Sequence, residues 1–119
     1  MKKLLLIACI AVISSCSSKK AAETVAGDDI PACIKKLITQ FQEEDKQNPP
    51  RSIYRYTYKG NFVYYVSPIC CDHFSDLYNS KCELIGHPDG GFTGRGDGKV
   101  PDFGTAKSEE KLIWKDERK

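Results

Sequence analysis

Residue types that could carry chemistry are concentrated in the middle of the chain. Cys70, Cys71, Asp72 and His73 are consecutive, and Cys82 follows a short distance later. Thiolates and imidazoles bind zinc, and a thiol beside an imidazole is a common enzymatic nucleophile. Structural zinc sites, however, separate their cysteines by about two to four residues, which adjacent cysteines do not do. The spacing therefore disfavours zinc.

A second group of polar residues lies in a glycine-rich segment, residues 88–101, which we call the glycine loop. It does not match a phosphate-binding P-loop, because Lys99 is followed by Val100 rather than by Ser or Thr. It does not match an EF-hand that starts at Asp89, because Gly91 and Val100 would stand at the third and twelfth positions. Neither phosphate nor EF-hand calcium binding follows from this segment.

Four charged residues of this region are nevertheless candidates for a binding loop: Asp89, Arg95, Asp97 and Asp102. The three carboxylates offer a looser calcium site as one alternative, because glycine-rich backbone can turn carbonyl groups inward. The other alternative is a tight loop whose glycines take positive φ angles. We predict no bound metal and no other cofactor.

The N-terminal residues have the composition of a bacterial export signal. Two lysines and a run of apolar residues precede Ile13-Ser14-Ser15-Cys16, which has the form of a lipobox. We predict that residues 1–16 are a lipoprotein signal peptide, with Cys16 lipidated. Residues 17–27, which are rich in Ser, Lys and Ala, are predicted to be a flexible tether.

Residues 28–119 then form one small domain. A domain of this size, about 92 residues, buries a modest share of its surface and often needs covalent cross-links. The whole chain of 119 residues has a net charge of +2, with both signs intermixed. Without a basic cluster in the domain, a nucleic-acid partner is not expected.

The domain's cysteines are best explained as two disulfides, since an exported chain meets an oxidising compartment. Four of them remain after Cys16: Cys33, Cys70, Cys71 and Cys82. Neighbouring strand residues point to opposite faces, and a ring closed by adjacent cysteines is rare, so we expect Cys70 and Cys71 to have different partners. Two pairings stay open: Cys33 takes either member of the pair, and Cys82 takes the other. No free catalytic thiol is then expected.

The secondary-structure pattern predicts an α+β fold. Apolar residues at helical spacing, beginning near Pro31, predict an N-terminal amphipathic helix, which Asn48-Pro49-Pro50 would end. Alternation over residues 53–58 and 62–66, around Lys59-Gly60-Asn61, predicts an antiparallel hairpin whose register stays open.

The rest of the sheet is less regular in sequence. We predict a loop or short helical turn over residues 70–80, a short third strand over residues 82–85, and a last strand that contains Trp114 and places it in the core. The complete prediction is a helix packed on a small antiparallel sheet, held by disulfides and carrying the long glycine loop.

Several short motifs between residues 31 and 103 match a known family. The most specific are Asp76-Leu77-Tyr78 and Gly90-Gly91-Phe92-Thr93-Gly94-Arg95-Gly96-Asp97-Gly98, and Cys70-Cys71-Asp72 is another. On these motifs the chain resembles small lipoproteins of Bacteroidota that share a domain of unknown function. The resemblance implies a lipid-anchored envelope domain and brings no established activity or site.

The function expected from the sequence is that of a non-enzymatic binding or interaction module in the cell envelope. The lipid would attach it to a bacterial membrane, on the periplasmic side of the outer membrane, where it would meet a protein or small-molecule partner. One alternative is an inhibitor or immunity-type protein whose glycine loop enters a target's cleft. A second alternative is a thiol- or metal-dependent enzyme.

Overall fold

The computed structural model describes residues 29–119. The predicted signal peptide, lipidated Cys16 and tether lie outside the described residues. The elements are α1 (Ala32–Glu43), β1 (Ser52–Tyr58), β2 (Asn61–Val66), β3 (Asp76–Asn79), β4 (Leu84–Gly86), α2 (Phe103–Ala106) and β5 (Ser108–Lys115). The strands form one antiparallel sheet in the order β4-β3-β2-β1-β5. The prediction of a small α+β domain with an antiparallel sheet is confirmed.

None of the helices within residues 29–119 has the length and apolar character needed to cross a bilayer.

The hairpin of β1 and β2 is present as predicted, and its register is now defined. Tyr58 pairs with Asn61, so Lys59 and Gly60 alone form the turn. Their φ angles are 50° and 78°. Positive φ at both central residues is the signature of the two-residue turn whose twist matches that of the flanking strands. The turn therefore fixes which strand residues share a face.

Each face of the sheet has its own core. We call the cluster beneath α1 the helix-side core, and its buried members are Ile34, Phe41, Ile53, Tyr64 and Val66. We call the cluster on the other face the loop-side core, and its buried members are Tyr56, Tyr58, Val63, Leu77, Val100 and Phe103. Successive β1 residues alternate between the two, as strand geometry requires. The sheet is thus covered on both faces, by α1 on one and by residues 100–106 on the other.

Residues 76–79 differ from the prediction made for them. The loop or helical turn predicted over residues 70–80 is wrong for residues 76–79, which form β3. This strand has only two apolar residues and depends on pairing with β2, where Leu77 lies opposite Tyr65 and Tyr78 opposite Tyr64. A local pattern does not contain that long-range contact. At the other edge, β5 is a strand as predicted, and Trp114 is half-buried, 6.0 Å from Phe41 between ring centroids.

The predicted disulfide pairing is wrong. Cys33 in α1 is bonded to Cys82 in the turn between β3 and β4, with Cα atoms 5.7 Å apart, and Cys70 is bonded to Cys71. The prediction assumed that Cys70 and Cys71 lie in a strand and point to opposite faces. In the structure β2 ends at Val66 and the two cysteines lie in a turn, where strand alternation does not apply. The helix is therefore attached to the β3–β4 turn and not to the adjacent pair.

The C-terminus closes the end of α1. The last carbonyl groups of a helix have no partner within it. The Arg118 guanidinium donates to two of them, on Phe41 and Gln42, and to the carbonyl of Glu44, the residue that follows the helix, at 2.9–3.0 Å. The carboxylate of Asp116, which is 3% exposed, accepts from the same guanidinium at 2.7 and 2.9 Å. This clamp joins residues more than seventy positions apart in the chain.

The clamp predicts a specific acid sensitivity. Hydrogen bonds from Arg118 lower the pKa of Asp116 to about 2. Asp116 therefore contributes stability that is complete above its unfolded pKa of about 3.9 and that disappears as the pH falls through about 2. We expect Asp116→Asn to lower the free energy of unfolding at pH 7, and the difference from the natural chain to shrink between about pH 4 and pH 2.

Urea unfolding at a series of pH values measures this difference. Asp72→Asn, at an exposed turn position, is the matched control and should leave the free energy of unfolding at pH 7 unchanged. A difference between Asp116→Asn and the natural chain that stays constant from pH 7 to pH 2 would contradict the clamp.

Candidate functional site

The glycine loop is held at its base by Ser75, a fully buried residue that directly precedes β3. The Ser75 hydroxyl accepts from the backbone N–H of Asp89 and donates to the Asp89 carbonyl, each at 3.1 Å. The hydroxyl of Tyr65 donates to both carboxylate oxygens of Asp89, at 3.0 and 3.1 Å. These hydrogen bonds attach Asp89, and with it the glycine loop, to Ser75 and to Tyr65 of β2.

A second set of bonds closes the other side of the base. The backbone N–H of Asp97 donates to the His87 carbonyl at 3.0 Å, and the N–H of His87 donates to the Asp97 carboxylate at 3.2 Å. The same carboxylate accepts from the N–H of Lys99 at 3.0 Å. The Lys99 and His87 hydrogen bonds lower the pKa of Asp97. Asp97 therefore stays ionised and bound to the backbone, and closes the loop.

The close approach of these two sides requires glycine at particular positions. Gly96 has a φ of +70°, and a Cβ there would collide with the His87 carbonyl. Gly94 has nearly the same φ, +72°, but a Cβ there would meet no atom within 4 Å. The two positions therefore separate the cost of a left-handed backbone from the cost of opening the base.

We expect Gly94→Ala to cost about 1 kcal/mol, the conformational penalty alone. Gly96→Ala should cost about 2 kcal/mol more, since the two bonds between His87 and Asp97 are lost as the backbone moves apart. Urea unfolding gives the two costs, and hydrogen exchange at the Asp97 amide reports the opening of the base. Equal costs for the two variants would show that the base is not closed as described.

The loop tip, residues 91–95, projects an aromatic side chain into solvent. Phe92 is 96% exposed, the highest exposure of any large hydrophobic residue described. At the foot of the tip, Gly91 lies against the ring of Phe74, which is 45% exposed and stacks on His87 with 5.2 Å between ring centroids. Arg95 is exposed on the same short segment. The tip thus presents an aromatic ring and a cation, while Asp89 and Asp97 are bound at the base.

The carboxylates proposed from the sequence as a loose calcium site do not converge. Asp89 is bound by Tyr65, and Asp97 by backbone N–H groups. Asp102 accepts from the Tyr58 hydroxyl at 2.6 Å and lies 3.4 Å from the Lys59 ammonium. Within residues 29–119 no three His, Cys, Asp or Glu side chains are grouped so as to hold a metal ion. Each of the three acids has a separate structural partner.

Three tyrosine–carboxylate pairs join strands of the sheet to residues far away in the chain, and sequence reasoning did not find them: Tyr58 and Tyr65 reach Asp102 and the glycine loop, and Tyr56 joins β1 to β5. The hydroxyls of Tyr56, Tyr58 and Tyr65 donate to Glu110, Asp102 and Asp89, which are 24–54 residues away in the chain. Burial raises the pKa of Tyr56 and Tyr65, and the hydrogen bond to Asp102 raises that of Tyr58. These tyrosines stay protonated as donors. The alternation of Tyr56 and Tyr58 along β1 was visible in the sequence, and Tyr65 lies in β2. The distant partners of the three tyrosines could not be identified from the sequence pattern.

The adjacent cysteines lie beside this site without entering it. Cys70 and Cys71 are exposed in the turn that precedes the loop's contacts with His73 and Phe74. The backbone N–H of Gly91 donates to the His73 carbonyl at 3.2 Å, and Gly90 forms a bridge with Phe74. The turn therefore leads directly into the segment against which the loop packs.

A family model described as Domain of unknown function (DUF6970) matches residues 39–116 of the chain. The matched span contains the whole sheet, the adjacent cysteines and the glycine loop. No curated protein and no solved structure matches the chain. The expectation of a domain of unknown function is confirmed.

Proposed function

The chain belongs to the family described as Domain of unknown function (DUF6970), and we propose that it is a non-enzymatic interaction module that binds a partner protein through its loop tip. The observation that carries the proposal is the nearly complete exposure of Phe92 at the end of a loop closed by Asp89 and Asp97. Burying one phenylalanine side chain contributes about 1.5–3 kcal/mol. A fixed loop makes that contribution available at little further cost in conformational entropy.

The chemistry of the tip indicates the chemistry of the partner. Phe92 would enter an apolar pocket, since aromatic anchors in desolvated pockets supply much of the energy of an interface. Arg95 stands three positions away, and the nearby Asp89 and Asp97 are bound at the base. A pocket with an acidic rim complements this arrangement, because the cation faces the partner while the anions do not.

The proposal also places the module in the cell envelope. The predicted lipid on Cys16, the predicted tether over residues 17–27 and the resemblance to small lipoproteins of Bacteroidota support this location. The domain would then reach its partner from the periplasmic face of the outer membrane. This part of the proposal rests on the sequence, because residues 1–28 lie outside the described structure.

An inhibitor or immunity-type protein is the second candidate. The glycine loop supports this candidate as well. It is a projecting segment closed at its base, which would fit a target's cleft with Phe92 entering first. The two candidates differ in the consequence of binding: an inhibitor abolishes the activity of a hydrolase or toxin, whereas an interaction module does not. A thiol-dependent enzyme is disfavoured, because the two disulfides include all four cysteines of residues 29–119.

Site-specific photocrosslinking tests the proposal. Benzoylphenylalanine is placed at position 92 and, as a matched control, at position 112, because Leu112 is an exposed hydrophobic residue on β5, away from the loop. In cells that produce the protein, we expect a discrete protein adduct from position 92 and none from position 112. Combining position 92 with Gly96→Ala, which opens the loop base, should weaken that adduct.

The identified adduct is then purified and assayed for loss of its own activity, which separates an inhibitor from an interaction module. Identical adducts from positions 92 and 112, or no adduct from position 92, would overturn the proposal.

A further inference from the structure

A groove lies at the opposite end of β2 and β3 from the anchored base of the glycine loop. Here the β1–β2 turn and the β3–β4 turn stand side by side, because Asn61 begins β2 and Asn79 ends β3. The groove between them has a volume of about 390 Å³, within the range of small-molecule sites, roughly 300–1,000 Å³. No part of the proposed protein interaction uses it.

The wall formed by the β3–β4 turn is fixed before any ligand arrives. The Asn79 carboxamide oxygen accepts from the N–H groups of Lys81 and Glu83 at 2.9 and 3.0 Å. The Ser80 hydroxyl donates to the Phe62 carbonyl at 3.2 Å and so ties the turn to β2. The turn is also attached to α1 through Cys82. A preformed wall lowers the entropic cost of binding.

The floor of the groove is apolar and its rim is mainly cationic. Val63, which is 2% exposed, lines the floor with the half-buried Ile85. Each turn contributes one lysine, Lys59 or Lys81. The Lys59 side chain remains 64% exposed although it lies near Asp102. The acid in the lining, Glu83, already accepts a hydrogen bond from Asn79 at 2.6 Å.

We propose that this groove binds small amphipathic carboxylates. The apolar part of the ligand would lie against Ile85 and the small exposed part of Val63, and its carboxylate would lie at the rim between the two lysine-bearing turns. Lys59 is paired with Asp102, and Glu83 accepts from Asn79, so Lys81 is the charged group of the lining that favours an anion over a cation of the same size. The apolar floor favours a ligand with a hydrocarbon body over a bare inorganic anion.

Hexanoate is the probe, and the isotope-labelled full-length chain with Cys16→Ser, which removes the predicted lipid, is the sample. Amide resonances are followed during titration with hexanoate, hexylammonium and hexanol. We expect saturable shifts from hexanoate at Val63, Asn79 and Ile85, with weaker binding of the other two probes. Lys81→Glu should weaken hexanoate binding about tenfold or more, since a hydrogen bond to a charged group is lost.

The matched control is Lys36→Glu, which makes the same charge change at an exposed position of α1. It should leave hexanoate binding unchanged. The absence of saturable shifts, equal binding of hexylammonium or hexanol, shifts centred on Phe74 and Phe92, or equal loss in the two lysine variants would each overturn the proposal. An unchanged amide spectrum of free Lys81→Glu confirms that the variant is folded.

Discussion

Replacing Cys33 and Cys82 together by serine is expected to lower the free energy of unfolding by about 4 kcal/mol, the chain-entropy value for a loop of about 50 residues. The bond joins positions 49 apart and fixes α1 to the β3–β4 turn. A domain of this size has a total stability of roughly 5–10 kcal/mol, so the variant should be close to unfolding at 37 °C. Urea unfolding without reductant measures the loss.

The matched control is the double variant Cys70→Ser and Cys71→Ser. A bond between adjacent residues closes no chain loop, so its removal should change stability by no more than about 0.5 kcal/mol. Had Cys33 paired with either of the adjacent cysteines, both double variants would lose several kcal/mol. Similar losses from the two would therefore contradict the pairing found in the structure.

Phe103→Ala should lower the free energy of unfolding by a similar amount, about 3–5 kcal/mol. Phe103 is 2% exposed and packs edge-on against Tyr56 and Tyr58, each 5.5 Å away between ring centroids. It also stacks on Tyr65 at 6.2 Å. Truncation would leave a cavity among three tyrosines, and α2 would lose its contact with the sheet. Urea unfolding gives the cost, and the near-ultraviolet dichroism of the tyrosines reports the loss of packing.

Phe92→Ala is the matched control for this aromatic truncation. Because Phe92 is 96% exposed, its removal should change the free energy of unfolding by no more than about 0.5 kcal/mol. A loss close to that of Phe103→Ala would mean that Phe92 packs within the domain and is not presented to a partner.

The hairpin was predictable because its signals are local. Alternating residues and a Lys-Gly turn lie within one short segment, and both indicate two antiparallel strands. Strand β3 was not predictable in this way, since Leu77 and Tyr78 are its only apolar residues and its partner, β2, supplies the pairing. The register was open for a related reason: a slip by one residue would have exchanged the two cores.

The same difference between local signals and long-range contacts explains which features of the site could be predicted. Asp89, Asp97 and Asp102 were predicted as residues of a binding loop, with a loose calcium site as one alternative. Their partners are Tyr65, backbone N–H groups and Tyr58, none of which the spacing of the acids reveals. The cysteine pairing failed because strand alternation was applied to a turn. Phe92 did have a sequence signal: it is a single aromatic residue among glycines, with no apolar neighbours to bury it.

The affinity of the purified chain for the partner identified by crosslinking tests the central claim most directly. A hot-spot aromatic contributes about 2 kcal/mol or more, so Phe92→Ala should weaken binding about 30-fold or more. Leu112→Ala removes an exposed hydrophobic side chain elsewhere and should leave the affinity unchanged. If Phe92→Ala binds the partner as tightly as the natural chain does, the loop tip is not the interaction site and the account is wrong.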